Sequence, residues 1–246
     1  TDLNQIRKLH IEPTRVSGQT TIFDVDVDNE IQLATELRRA LSSEVVENDP
    51  ARDAKAKTRQ MTELRRVTAD LRKVADGVIA AGLPLGSNPG PELDTAYETL
   101  REAVKMAYPP EGEAHDEFLE AIVMRGLTPT VETDYTRWKP LHWAIEAPDV
   151  FLERRGFDAM VGNPPFLGGQ KLSGALGGDV RDWFVNVLAA GTRGSADLVA
   201  YFFLRAQALL NDAGTLGLIA TNTVAQGDTR AVGLDRMASD GFTIMR

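Results

Sequence analysis

The residues best suited to chemistry form the tetrapeptide Asn163-Pro164-Pro165-Phe166, which directly follows the short apolar run 157–162. Proline fixes φ and restricts the residue before it, so the two prolines hold this loop extended. The Asn163 side-chain oxygen and the Pro164 carbonyl can each accept a hydrogen bond from an amino group. Phe166 offers a flat face on which a planar ring can stack. A structural alternative is a proline-rich exit from a strand, with Phe166 as an aromatic plug.

An Asn-Pro-Pro-aromatic tetrapeptide after a hydrophobic strand resembles the catalytic loop of methyltransferases that act on amino groups. These enzymes move a methyl group from S-adenosylmethionine to an amide or aromatic amine nitrogen. An exocyclic amine such as adenine N6 is a poor nucleophile, because its lone pair is delocalised into the ring. The resemblance implies that Asn163 and Pro164 accept its N–H groups and stabilise the charge that develops during transfer. It also implies that Phe166 stacks on the flipped base.

The surrounding sequence narrows the resemblance to adenine-N6 DNA methyltransferases of the large restriction-modification and phage-defence type. The similarity extends over about residues 137–235. The segments that carry it are, in chain order, His142-Trp143, Pro148 to Phe151, Gly156-Phe157-Asp158, Gly162 to Gly168, and Ser195 to Phe203. The resemblance implies S-adenosylmethionine as the cofactor and double-stranded DNA as the partner, bound through a recognition domain outside this chain.

The composition excludes several classes of site. The chain of 246 residues has no cysteine, so disulfides and thiolate metal ligands are impossible. Its three histidines (His10, His115 and His142) are far apart and lack ligand-like spacing, so we predict no metal site. No apolar run approaches a membrane span and the N-terminus has no signal-peptide character, so we expect a cytoplasmic protein that makes no membrane contact.

The net charge of −9 argues against a DNA-binding surface, because proteins that bind the DNA backbone usually carry a basic patch. Two explanations remain open: a local basic cluster, or phosphate contacts made by a recognition domain elsewhere. The basic side chains between residues 52 and 73 are interleaved with acidic ones, which favours a solvated helix face. They are Arg52, Lys55, Lys57, Arg59, Arg65, Arg66, Arg72 and Lys73.

Hydrophobic periodicity predicts an α/β fold preceded by a mostly helical region. The resemblance implies that the α/β part belongs to a Rossmann-like methyltransferase sheet. Residues 1–29 are predicted as an N-terminal arm or strand, because β-branched residues alternate with acidic ones over 20–28. Residues 30–125 are predicted as a helical insertion or bundle, with one long helix over 61–78. Residues 126–246 are predicted as a partial Rossmann-like catalytic domain.

Within this last region the pattern predicts a strand at 157–162 and a second one at 215–221, joined by helices at 179–190 and 196–211. Strand, helix and strand in this order indicate a parallel pair with a right-handed crossover. The glycine-rich segment 168–178 is predicted as a loop. Residues 211–214 carry a helix C-cap signature, and residues 241–245 are expected to form a further strand.

A glycine-rich cofactor loop, which normally precedes the catalytic loop in this class of methyltransferase, is missing before residue 157. We therefore expect the chain to be an excerpt of a longer protein, inactive alone, and assign no cofactor-binding residue.

Four further charged residues have open roles. Asp197 is equally suited to a helix N-cap and to a functional role beside the pocket. Asp158 fits a strand start. Lys171 and Arg181 could touch phosphate or the flipped base, although solvated loop charges account for them more simply.

Two alternative functions remain open. A protein-glutamine N5 methyltransferase uses the same loop, because a carboxamide nitrogen is equally unreactive, but such enzymes are compact and lack a long helical insertion. The chain could also be a non-catalytic helical scaffold fragment.

Overall fold

The computed structural model describes residues 27–43 and 50–245, which are mostly helical with one small sheet. The helices are α1 (Val27–Ser43), α2 (Pro50–Val67), α3 (Ala69–Gly82), α4 (Pro91–Ala107), α5 (Glu117–Leu127), α6 (Trp143–Glu146), α7 (Pro148–Glu153), α8 (Gly169–Leu176), α9 (Gly178–Trp183), α10 (Leu198–Leu209), α11 (Gly227–Val232) and α12 (Leu234–Ser239). The strands are β1 (Phe157–Gly162) and β2 (Leu210–Leu218). Short 3₁₀ helices cover Leu83–Leu85 and Asn222–Ala225, and a π-helix covers Phe184–Leu188.

The predicted N-terminal strand or arm lies largely outside the described residues. Residues 27–29, which we assigned to it, instead begin α1. Glu30 suits the start of this helix, because the helix dipole favours negative charge at a helix N-terminus.

Contacts divide the chain into two compact units. Of the described residues, the first unit comprises 27–43, 50–79, 98–123 and 140–154, and the second comprises 80–97, 124–139 and 155–245. The predicted division into arm, helical insertion and catalytic domain stays a prediction.

The first unit packs helices around buried aliphatic side chains. In α1, Ile31 lies in the core, and this helix contacts α2 and α7. Packing around Gly77 is close, since an added Cβ would lie 2.8 Å from a methyl group of Leu100 and 3.1 Å from a methyl group of Leu119. The long helix predicted over 61–78 is interrupted at Thr68, whose hydroxyl donates to the Leu64 carbonyl at 2.8 Å. Such hydroxyl-to-backbone bonds often bend helices.

Polar side chains of the first unit are largely paired with one another. Lys73 donates to Asp116 at 2.5 Å and to Glu120 at 2.9 Å, and Arg72 pairs with Glu146. Arg66 pairs with Glu63 at 2.6 Å. Three members of the basic cluster are therefore engaged by carboxylates. Arg66 is exposed, as expected on a solvated helix face, whereas the side chains of Arg72 and Lys73 are each only 25% exposed.

The second unit contains the sheet, in which β1 and β2 pair in parallel. Strand β1 has the predicted bounds, whereas β2 begins five residues before the predicted 215 and ends at 218. The register is continuous from Ala159–Thr215 to Gly162–Leu218, and it shifts between Phe157 and Ala159. A parallel pair with a preceding helix is consistent with the predicted α/β class. A complete Rossmann-like sheet remains a prediction.

The predicted C-cap at residues 211–214 is wrong. Helix α10 ends at Leu209 and is capped by Leu210 in an extended conformation, so the chain passes directly into β2. Gly214 serves close packing instead, because an added Cβ would lie 2.9 Å from the Phe157 carbonyl oxygen. The Asn211 side chain accepts from the Ala213 N–H at 3.1 Å, forming a local turn.

The glycine-rich segment 168–178, predicted as a loop, is also mainly helical, since α8 occupies most of it. Leu172 is fully buried in the core and Leu176 packs against the same cluster, so tertiary packing outweighs the low helix propensity of glycine. Gly177, at φ +100°, separates α8 from α9. The predicted helix 179–190 becomes α9 followed by the π-helix.

Residues 241–245 form no strand. Gly241 adopts φ +94° and the Phe242 N–H donates to the Met237 carbonyl at 3.0 Å, so these residues terminate α12. Within the described ranges, no helix combines the length and apolarity needed to cross a bilayer.

Candidate functional site

The tetrapeptide 163–166 begins where strand pairing ends. The last residue of β1, Gly162, lies opposite Leu218, and its carbonyl accepts from the Ile219 N–H at 2.9 Å. In open α/β sheets, functional loops lie at the carboxyl ends of parallel strands. Asn163 is therefore attached to a fixed strand end.

The other end of the tetrapeptide is fixed to the start of α10. The Leu167 carbonyl accepts from the Leu198 N–H at 2.9 Å, and the Leu167 N–H donates to Asp197 Oδ1 at 3.1 Å. Both ends of the four-residue loop are thus anchored through the backbone.

Within the loop, the side chains differ in exposure. Pro164 is buried, whereas Asn163 and Pro165 are exposed and Phe166 is 43% exposed. No group of residues 27–43 and 50–245 hydrogen-bonds the Asn163 side chain. The buried proline fixes the backbone, and the polar and aromatic side chains on either side of it remain accessible to a substrate. An exposure of 43% does not fit Phe166 as a fully buried plug.

Asp197 fulfils the predicted N-cap role, since its side chain accepts from the Val199 N–H of α10 at 3.1 Å. The same oxygen accepts from Leu167, so the residue also contacts the loop. No pattern in the sequence links these positions, which lie 30 residues apart. The second contact could only be seen in three dimensions.

Gly169 completes the junction between loop and helix. A Cβ at this position would lie 2.3 Å from the Ser195 carbonyl carbon and oxygen, and 2.5 Å from the Ala196 carbonyl oxygen. The start of α8 therefore lies against the backbone that precedes α10. The Gly168-Gly169 pair is the sequence signal for this approach, although the pattern alone predicts only a loop.

Behind the junction, Tyr201 stacks on Phe184 with ring centroids 5.2 Å apart. Burial raises the pKa of the Tyr201 hydroxyl, and the positive charge of Arg181 partly opposes this. Arg181 itself donates to the Gly194 carbonyl at 3.3 Å, so it supports the segment before α10. This contact gives Arg181 a structural role, while Lys171 is exposed on α8.

The remaining candidates lie elsewhere. Asp158 accepts from the Asn211 side chain at 2.8 Å near the amino end of the sheet, in agreement with a strand-start role. Asn222, which follows the carboxyl end of β2 as Asn163 follows that of β1, is exposed and begins a 3₁₀ helix. In the described part of the chain, no three His, Asp or Glu side chains are grouped to hold a metal ion.

The site thus offers exposed acceptor and aromatic groups on a loop whose backbone is fixed at both ends. A family model described as Eco57I restriction-modification methylase matches residues 20–239. Searches of curated proteins and of solved structures gave no match.

Proposed function

Because the chain belongs to the Eco57I restriction-modification methylase family, we propose that it transfers a methyl group from S-adenosylmethionine to adenine N6 in DNA. The family match covers most of the chain and supports methyl transfer to DNA in a restriction-modification system. The observation that carries the choice of an amino nitrogen is the exposed Asn163 side chain at the end of β1, on a loop with two backbone anchors.

The reaction needs hydrogen-bond acceptors because the adenine amino group is planar. Asn163 Oδ1 and the Pro164 carbonyl accept the two N–H groups, which favours the geometry in which the nitrogen lone pair faces the methyl donor. Positive charge grows on the nitrogen during transfer, and these preorganised dipoles stabilise it. The nitrogen then loses one proton and becomes a secondary amine.

Phe166 gives the loop its preference for a flat substrate. Its accessible ring can stack on an adenine extruded from the duplex, as enzymes that modify a base commonly require. A protein carboxamide lacks an extended aromatic face and would gain much less from this residue.

S-adenosylmethionine is the donor that the methylase family and the amine chemistry favour, and no residue of this chain is assigned to it. The net charge of −9 favours DNA-backbone binding by a recognition domain outside residues 1–246. Arg72 and Lys73 of the first unit are already paired with carboxylates, which also favours binding of the DNA backbone by another domain.

The proposal is tested by methyl incorporation into DNA by the full-length protein, with the modified nucleoside identified by mass spectrometry. Asn163→Ala should slow transfer about 10²–10³-fold, the usual effect of losing one preorganised polar contact. Binding of DNA should persist, since phosphate contacts dominate affinity.

Asn88→Ala is the matched control, because Asn88 is also an exposed carboxamide, in the loop after the 3₁₀ helix Leu83–Leu85. Its rate should equal that of the wild type. N6-methyladenine formation by Asn163→Ala within a few-fold of wild type would remove Asn163 from catalysis. Methylated glutamine in a protein substrate, with unmodified DNA, would replace the proposed substrate class.

A further inference from the structure

We infer that Asp197 is a positioning residue, whose carboxylate holds the catalytic loop in register with α10. The inference rests on the proposed function for its kinetic consequence, but its structural basis is independent of the substrate. It gives Asp197 a second role besides that of a helix cap.

One carboxylate oxygen serves two segments of chain. Asp197 Oδ1 accepts from the Val199 N–H in the first turn of α10 and from the Leu167 N–H directly after Phe166, both at 3.1 Å. The Leu198 N–H donates to the Leu167 carbonyl at 2.9 Å, so Leu167 is bound through both of its backbone polar groups. The residue next to Phe166 therefore cannot shift without breaking these bonds.

Asp197 is itself held from the opposite side by the start of α11. Its N–H donates to the Thr229 hydroxyl at 3.0 Å, and the Thr229 residue is 8% exposed. Two residues earlier, the Ser195 N–H donates to Asp228 at 2.6 Å. The carboxylate thus extends from a fixed backbone, which is what a positioning residue requires.

Capping alone does not explain the choice of an aspartate. Serine and aspartate are comparably good N-caps, because each places an oxygen near the N–H groups of the first turn. The serine hydroxyl lies one bond closer to the backbone than a carboxylate oxygen. It can bond to Val199 but falls short of Leu167. A serine at position 197 therefore keeps the helix cap and removes the contact with the loop.

Three variants of the full-length protein test the inference. Asp197→Asn keeps an oxygen at the same distance and should retain most of the activity. Asp197→Ser keeps a cap for Val199 and should unfold at a higher thermal midpoint than Asp197→Ala. Its single-turnover methyl transfer should slow about 10- to 100-fold, because displacement of a reacting group by about 1 Å has effects of this size. Dissociation constants for DNA and S-adenosylmethionine should stay within a few-fold. Asp197→Ala should lose both rate and stability.

Amide hydrogen exchange provides a readout that does not depend on catalysis. In Asp197→Ser the Leu167 amide should exchange about 10- to 100-fold faster, as expected on losing a bond to a charged acceptor, while the Val199 amide stays protected. Wild-type exchange at Leu167 and wild-type rates in this variant would show that Asp197 is a cap only. If the wild type exchanges as expected but methylates no DNA, the proposed function fails and the positioning contact stands.

Discussion

The helical first unit and the 163–166 loop use polar side chains in opposite ways. In the first unit, charged side chains pair with one another: Arg38 with Asp149 at 3.2 Å, and Lys73 with Asp116 at 2.5 Å. At the loop, backbone groups and a helix cap make the bonds, and the Asn163 side chain remains exposed. Side chains satisfied within the protein have little left to offer a ligand. A loop fixed by its backbone can present its side chains to a substrate without losing its shape.

The comparison implies that substitutions at the loop change function, while substitutions at the pairs change stability alone. The largest effect outside Asn163 is expected at Phe166. Phe166→Ala should slow methylation about 5- to 150-fold, since stacking of a base on an aromatic ring contributes about 1–3 kcal/mol. Phe166→Tyr keeps a flat face and should retain most activity. The rates are measured on DNA with adenine at the target position. Base flipping is followed separately on DNA carrying 2-aminopurine there, whose fluorescence rises when the base leaves the duplex.

If the alanine and tyrosine variants were equally active, Phe166 would be a packing residue. The contrast between presented and paired side chains would then hold for Asn163 alone.

The second largest effect is expected where the loop junction depends on the absence of a side chain. Gly169→Ala should lower the free energy of unfolding by about 1–3 kcal/mol, because the added methyl meets the Ser195 carbonyl at 2.3 Å and forces the backbone to move. Methylation should fall with it. Gly174 lies in the same helix, and a Cβ added there would meet no neighbouring atom within 4 Å. Gly174→Ala should therefore raise the free energy of unfolding by about 0.5–1 kcal/mol. Denaturant unfolding of both variants measures the pair, and equal stabilities would contradict the close approach.

A smaller effect is expected for the ion pairs of the first unit. Arg38→Ala breaks a half-exposed pair between α1 and α7 and should lower the free energy of unfolding by up to about 1 kcal/mol. Lys105→Ala breaks the exposed pair with Glu102 and should cost about 0.2–0.5 kcal/mol. Both losses should shrink in 1 M salt, and methylation per folded molecule should stay at the wild-type rate. A slower reaction in Arg38→Ala would contradict the claim that the ion pairs of the first unit affect stability alone.

The smallest expected effect is a change in pH dependence at Lys73. The hydrogen bond and charge of Lys73 hold the pKa of Asp116 below its ordinary value. Burial alone would lower the pKa of Lys73, but the bonds to Asp116 and Glu120 raise it. The Asp116 contribution to stability is therefore complete above about pH 4, the pKa of an unfolded Asp, and is lost as the pH falls through the lower folded value.

Urea unfolding of wild type and Lys73→Ala between pH 2.5 and pH 7 measures this linkage. The stability difference should be constant above about pH 5 and should narrow below about pH 4. A difference that stays constant down to pH 2.5 would contradict the pairing.

The parts of the site that could be predicted from the sequence are those with local causes. Strand β1 is a short apolar run bounded by Gly156 and the prolines, so its position and the loop after it follow from neighbouring residues. The helix start at Asp197 is equally local. The contact from Asp197 to Leu167 joins residues 30 positions apart, and no periodicity records it.

Two of the incorrect predictions, those for 168–178 and 211–214, concern glycines whose roles depend on distant atoms. The sequence predicts a loop over 168–178 and a helix C-cap at Gly214, whereas in the structure Gly169 and Gly214 permit close contact with other segments. Helix α8 is stabilised by burial of the Leu172 side chain in the hydrophobic core. Such packing depends on the folded chain as a whole, which local propensity does not describe.

The loop, α10, β2 and β1 form a closed circuit of chain, since α10 passes into β2 without an intervening residue and β2 returns to Gly162. This circuit limits where the family can tolerate insertions and deletions. A residue added between Gly162 and Leu167 would have to be absorbed between two fixed anchors. Segment 211–214 already departs from regular strand register, so an added residue there can form a β-bulge. Length differences among homologues should therefore occur at 211–214 and be absent from 163–166.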